Sequence, residues 1–208
     1  SIDDYYLSKN KRVKLSKKIH PLLSTRGVPG THDILRLKND IINFQTKNFP
    51  ITTPIFNKLK DDTSIKKKTI KYAEILLLEG WCCGSPSINT KYLFQNINRV
   101  ETLLDKNKKW RQYYNSQLKM NYKKVFSLFD QQIYIQPPSF NYVLKWRYAQ
   151  EKNNALKSRN KDFMNKKELQ TFIQHYEKLT RWMMKIMPAK ADILIKIDSN
   201  QKIKKVII

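Results

Sequence analysis

Apolar residues recur at steps of three and four along the chain, and this spacing predicts helices. One such stripe follows a possible cap at 31–33 and comprises Ile34, Leu37, Ile41 and Phe44. A longer stripe comprises Trp110, Tyr114, Leu118, Val125 and Phe129. Further helices are predicted at 9–19, at 92–104, from Ser139 towards 156, and at 168–187, where Asn165 is the N-cap after a break at 161–165.

Short apolar runs between turn residues predict the strands. The run Ile-Leu-Leu-Leu at 75–78 is continuous, which is typical of a strand buried on both faces. Other strands or extended segments are expected at 51–56, 132–136, 192–198 and 202–208, and Ser1-Ile2 resembles a strand end, whereas 61–68 is expected to be an exposed loop. Alternating strands and helices indicate an α/β sandwich with a mainly parallel sheet, and the length favours one domain over 1–208.

The charge pattern favours solvated lysine surfaces over a nucleic-acid site. The net charge is +24, and Lys supplies 33 of the 41 basic residues. Lys, Ile and Asn, which have AT-rich codons, are abundant, so the charge is consistent with a genome bias. The basic runs are dispersed and fit no nucleic-acid-binding motif. A basic nucleic-acid-binding protein is therefore the lesser alternative, although weak binding to polyanions is expected at low salt.

Other sequence features favour a reduced, cytoplasmic protein. No apolar run reaches the roughly 18 residues that span a bilayer, and no secretory pattern begins the chain. Cys82 and Cys83 are adjacent, and neighbouring cysteines rarely pair with each other. The histidines have no metal-ligand spacing. Because the sequence does not begin with Met, an upstream segment is expected.

The segment 26–33 reads Arg-Gly-Val-Pro-Gly-Thr-His-Asp and predicts a rigid turn before a helix. Pro29 fixes one φ angle and Gly30 permits the next, while either Thr31 or Asp33 could cap the helix. A helix N-terminus is positively polarised and can receive a small polar or anionic ligand. An ordinary turn and helix cap explains the same pattern equally well.

Carboxylates follow two of the predicted strands, where ligands bind in open α/β sheets. Asp3 and Asp4 follow Ser1-Ile2, and Glu79 follows the run at 75–78. Such carboxylates serve Mg²⁺ or activate a hydroxyl group, as phosphoryl transfer requires. The alternative is that Glu79 caps a helix and that Asp3-Asp4 is a solvated turn. Cations for the developing charge would come from Arg26, Lys58, Arg147 and Arg159.

Several separate segments together resemble one known family. They are Ser-Ile-Asp-Asp-Tyr-Tyr-Leu at 1–7, His-Pro-Leu-Leu at 20–23, the loop at 26–33, Pro-Ile-Phe-Asn-Lys at 54–58, Glu-Gly-Trp-Cys at 79–82, Trp-Arg at 110–111 and 146–147, and the stretch 172–182. This set resembles the D-glycerate 3-kinase-like family of P-loop kinases, which is related to uridine kinase, phosphoribulokinase and pantothenate kinase.

The resemblance implies a three-layer P-loop NTPase-type sandwich that transfers the γ-phosphoryl group of ATP, with Mg²⁺, to a small hydroxy acid. D-glycerate is the leading acceptor. By resemblance, Asp3 orients or deprotonates the acceptor hydroxyl with Asp4 beside it, and Glu79, with Asp3, holds Mg²⁺ through water. The acceptor pocket would be lined by Tyr6, Arg26, His32, Asp33 and Lys58. Arg147 and Arg159 would steady the phosphoryl group from a lid.

The sequence departs from the family pattern in two ways. It contains no G-x-x-x-x-G-K-[ST] motif, which in the family precedes the Ser-Ile-Asp-Asp segment. The first β-P-loop-α unit is therefore expected to be missing, which leaves an exposed apolar sheet edge and a chain that is inactive alone. The family usually has Asp at Asn57 and Arg at Thr63. A non-catalytic remnant or partner-binding module is the alternative function.

Overall fold

The computed structural model describes residues 1–158 and 166–208. Contacts divide the chain into two compact units: the first unit is Ser1–Phe94 with Asp105–Phe129, and the second unit is Gln95–Leu104 with Asp130–Ile208. A single domain over 1–208 stays a prediction. The predicted break at 161–165 and its cap Asn165 lie outside the described residues. No helix in the described ranges is both long enough and apolar enough to cross a membrane.

The first unit is built from helices and two small antiparallel ladders. Its α-helices are α1 (Lys9–Lys18), α2 (Ile34–Gln45), α3 (Thr90–Phe94), α4 (Lys109–Gln117) and α5 (Lys123–Phe126). A π-helical turn at Leu118–Tyr122 joins α4 to α5, and 3₁₀ turns lie at Ile2–Tyr5 and Pro21–Ser24. The strands are β1 (Ile51–Thr53), β2 (Phe56–Asn57), β3 (Asp62–Thr63) and β4 (Lys68–Ile70). Strand β1 pairs with β4, and β2 pairs with β3.

The amphipathic stripes form the core of the first unit, as predicted. In α2 the buried residues are Ile34, Leu37 and Ile41. Along the continuous helical stretch from α4 to α5 they are Trp110, Arg111, Tyr114, Leu118, Tyr122 and Val125. Both stretches therefore pack by the 3.6-residue period of their apolar positions.

Two strand predictions in the first unit are wrong. Ile2–Tyr5 is a 3₁₀ turn because the Ser1 hydroxyl accepts a hydrogen bond from the Asp3 N–H. The run at 75–78 forms no strand, and Leu77 is 81% exposed. Among the described residues no strand pairs with this run, so its apolar side chains meet solvent instead of a sheet. The predicted loop at 61–68 also contributes the short strands β3 and β4.

The second unit contains a three-stranded mixed sheet and two long helices. The strands are β5 (Ile133–Gln136), β6 (Ile193–Ile197) and β7 (Ile203–Ile207), and the helices are α6 (Phe140–Ser158) and α7 (Lys166–Ile186). A π-helical turn at Val100–Leu104 and a 3₁₀ turn at Met187–Ala189 complete it. Strand β6 lies between β5, which is parallel to it, and antiparallel β7. A core cluster is centred on Phe140, Leu169 and Ile173.

The structure confirms a mixed α/β fold but corrects two details. Among the pairings in the described residues, only β5–β6 is parallel, so a mainly parallel sheet is not found there. The single helix predicted at 92–104 is two short segments, α3 and the turn at Val100–Leu104. Asn98 ends the intervening loop, because its side-chain oxygen accepts a hydrogen bond from the Glu101 N–H at 3.0 Å.

Candidate active site

The 26–33 loop is a close-packed turn of the first unit. Gly30 has φ +96°, and a Cβ atom there would lie 2.6 Å from Cε1 of Tyr113, so only glycine fits. Thr31 braces the turn, since its hydroxyl donates to the Val28 carbonyl at 2.7 Å. Asp33 is the N-cap of α2 and accepts from the Arg36 N–H. Of the two predicted caps, Asp33 is therefore the one used.

His32 lies buried at the end of this turn, with 4% of its surface exposed. Its ring stacks on Tyr6 with the centroids 4.4 Å apart. Its Nδ1 atom is 2.6 Å from the hydroxyl oxygen of Tyr122. Burial lowers the pKa of His32 to about 3, against a smaller opposing effect of the Asp3 charge. The imidazole is therefore neutral at physiological pH.

Asp3 lies beside this aromatic group and carries the strongest ionic contact of the site. The Lys58 Nζ atom donates to Asp3 Oδ2 at 2.9 Å, and the Tyr6 hydroxyl also donates to the Asp3 carboxylate. Burial raises the pKa of Asp3, but the Lys58 hydrogen bond and charge, the Tyr6 hydrogen bond and the His32 contribution together hold it below its ordinary value. Asp3 is thus an ionised carboxylate near neutral pH.

Glu79 is brought near Asp3 by backbone pairing. The Ile2 N–H donates to the Glu79 carbonyl at 2.9 Å. Burial raises the pKa of Cys83 to about 12, and the charges of Glu79 and Asp3 both add to this effect. The Glu79 side chain is exposed and makes no hydrogen bond or ion pair with the described residues. It is therefore available to a solvated cation.

The remaining predicted residues of the first unit hold the loops around this cluster. Asp4 Oδ1 accepts from the Phe56 N–H at 3.1 Å. Arg26 pairs with Asp61, which also pairs with the buried guanidinium of Arg12 at 2.6 Å. Asp4 and Arg26 therefore have structural contacts that fix β2 and the loop at 58–62, in addition to the roles predicted for them.

Comparison with known proteins gives this arrangement a context. No protein-family model matches the sequence. The chain is 28% identical over 193 residues to "Uncharacterized kinase mug58" of Schizosaccharomyces pombe, covering 85% of this chain and 66% of that protein. It is 28% identical over 189 residues to "Probable ATP-dependent kinase TDA10" of Saccharomyces cerevisiae, covering 85% and 62%. The chain thus spans slightly less than two thirds of the length of these relatives.

Two solved structures share the fold. The D-glycerate 3-kinase from Cryptococcus neoformans var. grubii superposes with a TM-score of 0.80 at 22% identity, covering 99% of this chain and 77% of that one. The structure of YGR205w protein gives a TM-score of 0.77 at 22% identity, with coverages of 99% and 75%. The chain is thus similar in sequence to two kinases and shares its fold with these two solved structures.

Asn57 and Thr63, the two positions that depart from the family pattern, lie on the paired strands β2 and β3. Asn57 Oδ1 accepts from the N–H groups of Leu59 and Lys60, both at 3.0 Å. An Asp oxygen would accept the same two bonds, so Asn keeps the turn that presents Lys58. Thr63 is an exposed residue of β3 opposite Phe56. The side chains at both positions thus fit the local backbone without disturbing the contact between Asp3 and Lys58.

Of the two arginines predicted to form a kinase lid, the structure describes only Arg147. Arg147 lies on α6 of the second unit, where its Nη1 atom donates to Gln150 Oε1 at 2.7 Å. Arg159 lies outside the described residues. The lid role of both residues stays a prediction.

The described side chains offer limited sites for a metal. No group of three or more His, Cys, Asp or Glu side chains within 1–158 and 166–208 could hold a metal ion. Mg²⁺ often uses one or two carboxylates, water and substrate phosphates, and the assignment of Glu79 and Asp3 to such a site stays a prediction. Cys82 and Cys83 are free cysteines, and burial raises the pKa of both thiols, which makes them poor nucleophiles.

Sequence reasoning missed Tyr122 and the Arg12–Asp61 pair. Tyr122 occupies a step of four after Leu118 in the buried stripe, so its position in the core could have been predicted, but its contact with His32 spans 90 residues of sequence. Arg12 lies in a basic helix that was read as solvated, yet its side chain is fully buried. Neither contact can be recognised from the residues that neighbour it in the sequence.

Replacing Lys58 with Met is expected to raise the pKa of Asp3. The substitution removes a hydrogen bond and a positive charge that stabilise the carboxylate, while burial continues to favour its protonated form. Because the pKa of Asp3 is lowered in the folded state, Asp3 contributes stability above its unfolded pKa, and this is lost as pH falls through its folded pKa. The Lys58→Met variant should lose that contribution at higher pH than the parent.

A ¹³C NMR titration of the Asp3 carboxyl group measures this shift directly. Lys60→Met is the matched control, because the Lys60 ammonium is exposed and makes no contact with the described residues. An unchanged Asp3 titration in Lys58→Met would show that the ion pair does not form in solution.

Proposed function

We propose that the first unit carries the acceptor site of an ATP-dependent kinase that phosphorylates a small hydroxy acid, with D-glycerate as the leading acceptor. The observation that carries the proposal is the ionised Asp3, held between Lys58 and Tyr6 next to the buried His32. The kinase relatives and the D-glycerate 3-kinase fold support it. The finer prediction of a three-layer P-loop sandwich belongs to the same proposal.

Asp3 is proposed as the general base. It accepts the proton of the acceptor hydroxyl as the oxygen of that hydroxyl attacks the γ-phosphorus of ATP, the bond from this phosphorus to the β–γ bridging oxygen breaks, and ADP leaves. Lys58 keeps the carboxylate ionised before the reaction and offers positive charge to an anionic acceptor. A carboxylate with a lowered pKa is a weak base, so its main contribution is to orient the hydroxyl and receive the proton late in the transfer.

Binding of the acceptor requires groups that recognise a carboxylate and hydroxyls. Lys58 supplies an ammonium group, and His32 supplies a buried imidazole nitrogen. Arg26 is proposed to contribute once its pairing with Asp61 is shared with the acceptor, since a guanidinium binds a carboxylate through two parallel hydrogen bonds. Asp33 is proposed to act indirectly, because it caps α2 and so fixes the position of the preceding residue, His32.

Glu79 and Asp3 are proposed to hold Mg²⁺ through water. When both are bound, ATP supplies the phosphoryl group and Mg²⁺ neutralises the charge that develops during transfer. The sequence contains no G-x-x-x-x-G-K-[ST] loop for the phosphates, so we propose that catalysis needs a segment supplying that loop. Arg147 and Arg159 are proposed to steady the phosphoryl group during its transfer.

The test is phosphorylation by the protein expressed together with its upstream coding sequence. The acceptors are D-glycerate, other small hydroxy acids and a set of nucleosides, and products are identified by ³¹P NMR. The proposal predicts ATP-dependent phosphoglycerate formation. Turnover of a nucleoside alone would reject the hydroxy acid, and no turnover of any acceptor would favour a non-catalytic protein.

A partner-binding module is the second candidate, and one observation favours it. Ile75, Leu76 and Leu77 form a run of exposed apolar side chains. Runs of this kind are sites of strand pairing or of protein contact. This candidate would be supported if the protein phosphorylates no acceptor but forms a stable complex with another protein, and if the Leu77→Lys substitution abolishes that complex.

A further inference from the structure

The contact between His32 and Tyr122 fixes where the imidazole carries its proton. Tyr122 is fully buried and His32 is 4% exposed, so water is not a substitute partner. The Gly30 N–H donates to the Tyr122 hydroxyl oxygen at 2.9 Å, and the backbone N–H of His32 faces the same oxygen. The lone pairs of this oxygen are therefore engaged by backbone donors.

The Tyr122 hydroxyl has one hydrogen, and His32 Nδ1, at 2.6 Å, is the acceptor within reach. If Nδ1 accepts this hydrogen, the neutral ring carries its proton on Nε2. If Nδ1 carried the proton instead, the Tyr122 hydrogen would have no acceptor among the described contacts. The first arrangement leaves one buried polar group unpaired and the second leaves two, so the Nε2–H form is favoured.

The remaining unpaired group is His32 Nε2, which has no hydrogen-bond partner among the described residues. A buried donor without a partner is costly, and a ligand oxygen at Nε2 would remove this cost. The ring is held on one face by Tyr6, whose hydroxyl donates to Asp3. Nε2 is thus a rigid neutral donor in the same cluster as the proposed base.

We propose that Tyr122 is a positioning residue that holds His32 as the neutral Nε2–H form, and that this N–H donates to an oxygen of the acceptor. The second half rests on the proposed function, whereas the first half concerns the free protein. The donor suits a carboxylate or hydroxyl oxygen of a small hydroxy acid. A neutral ring also leaves Asp3 as the proton acceptor, which an imidazolium ion would oppose.

The experiment is long-range ¹H–¹⁵N NMR of the histidine rings in the free protein and with D-glycerate added. The parent is compared with Tyr122→Phe, which removes only the hydroxyl. Tyr114→Phe is the matched control, because Tyr114 is another buried tyrosine of the same helical stripe and its ring packs against Trp110. Circular dichroism and thermal unfolding confirm that each variant is folded.

In the free parent we expect Nδ1 of His32 at the shift of an unprotonated nitrogen and Nε2 at that of a protonated one. Tyr122→Phe should bring the two shifts together as the tautomers exchange, and weaken D-glycerate binding about twofold, because only about half of the rings then carry the proton on Nε2. Tyr114→Phe should change neither. A proton on Nδ1 in the parent would overturn the positioning role. So would Nδ1 and Nε2 shifts in Tyr122→Phe that are unchanged from those of the parent.

The D-glycerate arm separates this inference from the proposed function. An Nε2 signal that moves on addition of D-glycerate supports the hydrogen bond to the acceptor. An Nε2–H tautomer that depends on Tyr122 but does not respond to D-glycerate upholds the positioning role and rejects the donation to that acceptor.

Discussion

Replacing Asp3 with Asn is expected to lower kcat for acceptor phosphorylation by about 10²–10⁴-fold in the protein that carries the phosphate loop. Asn is nearly isosteric with Asp, but it has no negative charge and cannot receive the hydroxyl proton. It also loses the ion pair with Lys58, which leaves that ammonium without its carboxylate partner. The measurement is steady-state kinetics with D-glycerate and ATP, in which KM should change much less than kcat.

Glu74→Gln is the matched control for this substitution. Glu74 is exposed and makes no contact with the described residues, so the change removes one negative charge from the same unit without touching the site. Equal losses of kcat in Asp3→Asn and Glu74→Gln would show that the change in net charge, rather than the loss of a proton acceptor, causes the effect. Full activity of Asp3→Asn would remove Asp3 from the mechanism.

Replacing Asp105 with Ala is expected to lower the free energy of unfolding by about 3–5 kcal/mol, the usual cost of removing one partner of a buried ion pair. Asp105 and Arg111 are fully buried, and Arg111 Nε donates to Asp105 Oδ2 at 2.8 Å. Asp105 Oδ1 also accepts from the Trp110 N–H at 3.0 Å and so holds the first turn of α4. Alanine removes both the counter-ion and this cap.

Urea denaturation followed by circular dichroism measures the loss. Asp105→Asn keeps an oxygen for the cap but not the charge. Its free energy of unfolding should therefore lie between those of the parent and Asp105→Ala. Asp130→Ala is the control at an exposed aspartate and should lie within about 0.5 kcal/mol of the parent. A loss below about 1 kcal/mol in Asp105→Ala would show that Arg111 is stabilised by other groups.

The helices of this protein could be predicted because their signals are local. The stripe from Trp110 to Val125 has the spacing of a helix and lies buried, and Asp33 caps α2 one residue before it begins. Strands β5, β6 and β7 were also found, since their apolar runs are bounded by turn residues. In each case the residues that specify the element are its own residues or their direct neighbours.

The strand predicted at 75–78 was wrong for a reason that local sequence cannot supply. A run of Ile and Leu shows that a segment can be buried, but burial needs partner strands, and no strand among the described residues pairs with it. The mainly parallel sheet was inferred from the alternation of elements. That alternation does not determine that β1 pairs with β4 or that β7 is antiparallel to β6.

The candidate site was predicted residue by residue, but its contacts were not. Asp3 and Lys58 were both candidates on the family resemblance, yet the ion pair between them joins residues 55 positions apart. Tyr122 was not a candidate because a tyrosine in an apolar stripe has the same pattern whether its hydroxyl contacts His32 or solvent. Such pairs depend on tertiary packing rather than on the periodicity of either segment.

The most direct test of the acceptor site is a ¹⁵N NMR titration of this chain with D-glycerate. The account predicts saturable shifts confined to the amide signals of Asp3 to Tyr6, the loop at 26–33 and Lys58, with weaker shifts in His32→Ala. Propionate, which has the carboxylate but no hydroxyl, should bind less tightly. Saturable shifts confined to other residues, or no shifts at all, would contradict the assignment of the acceptor site to this cluster.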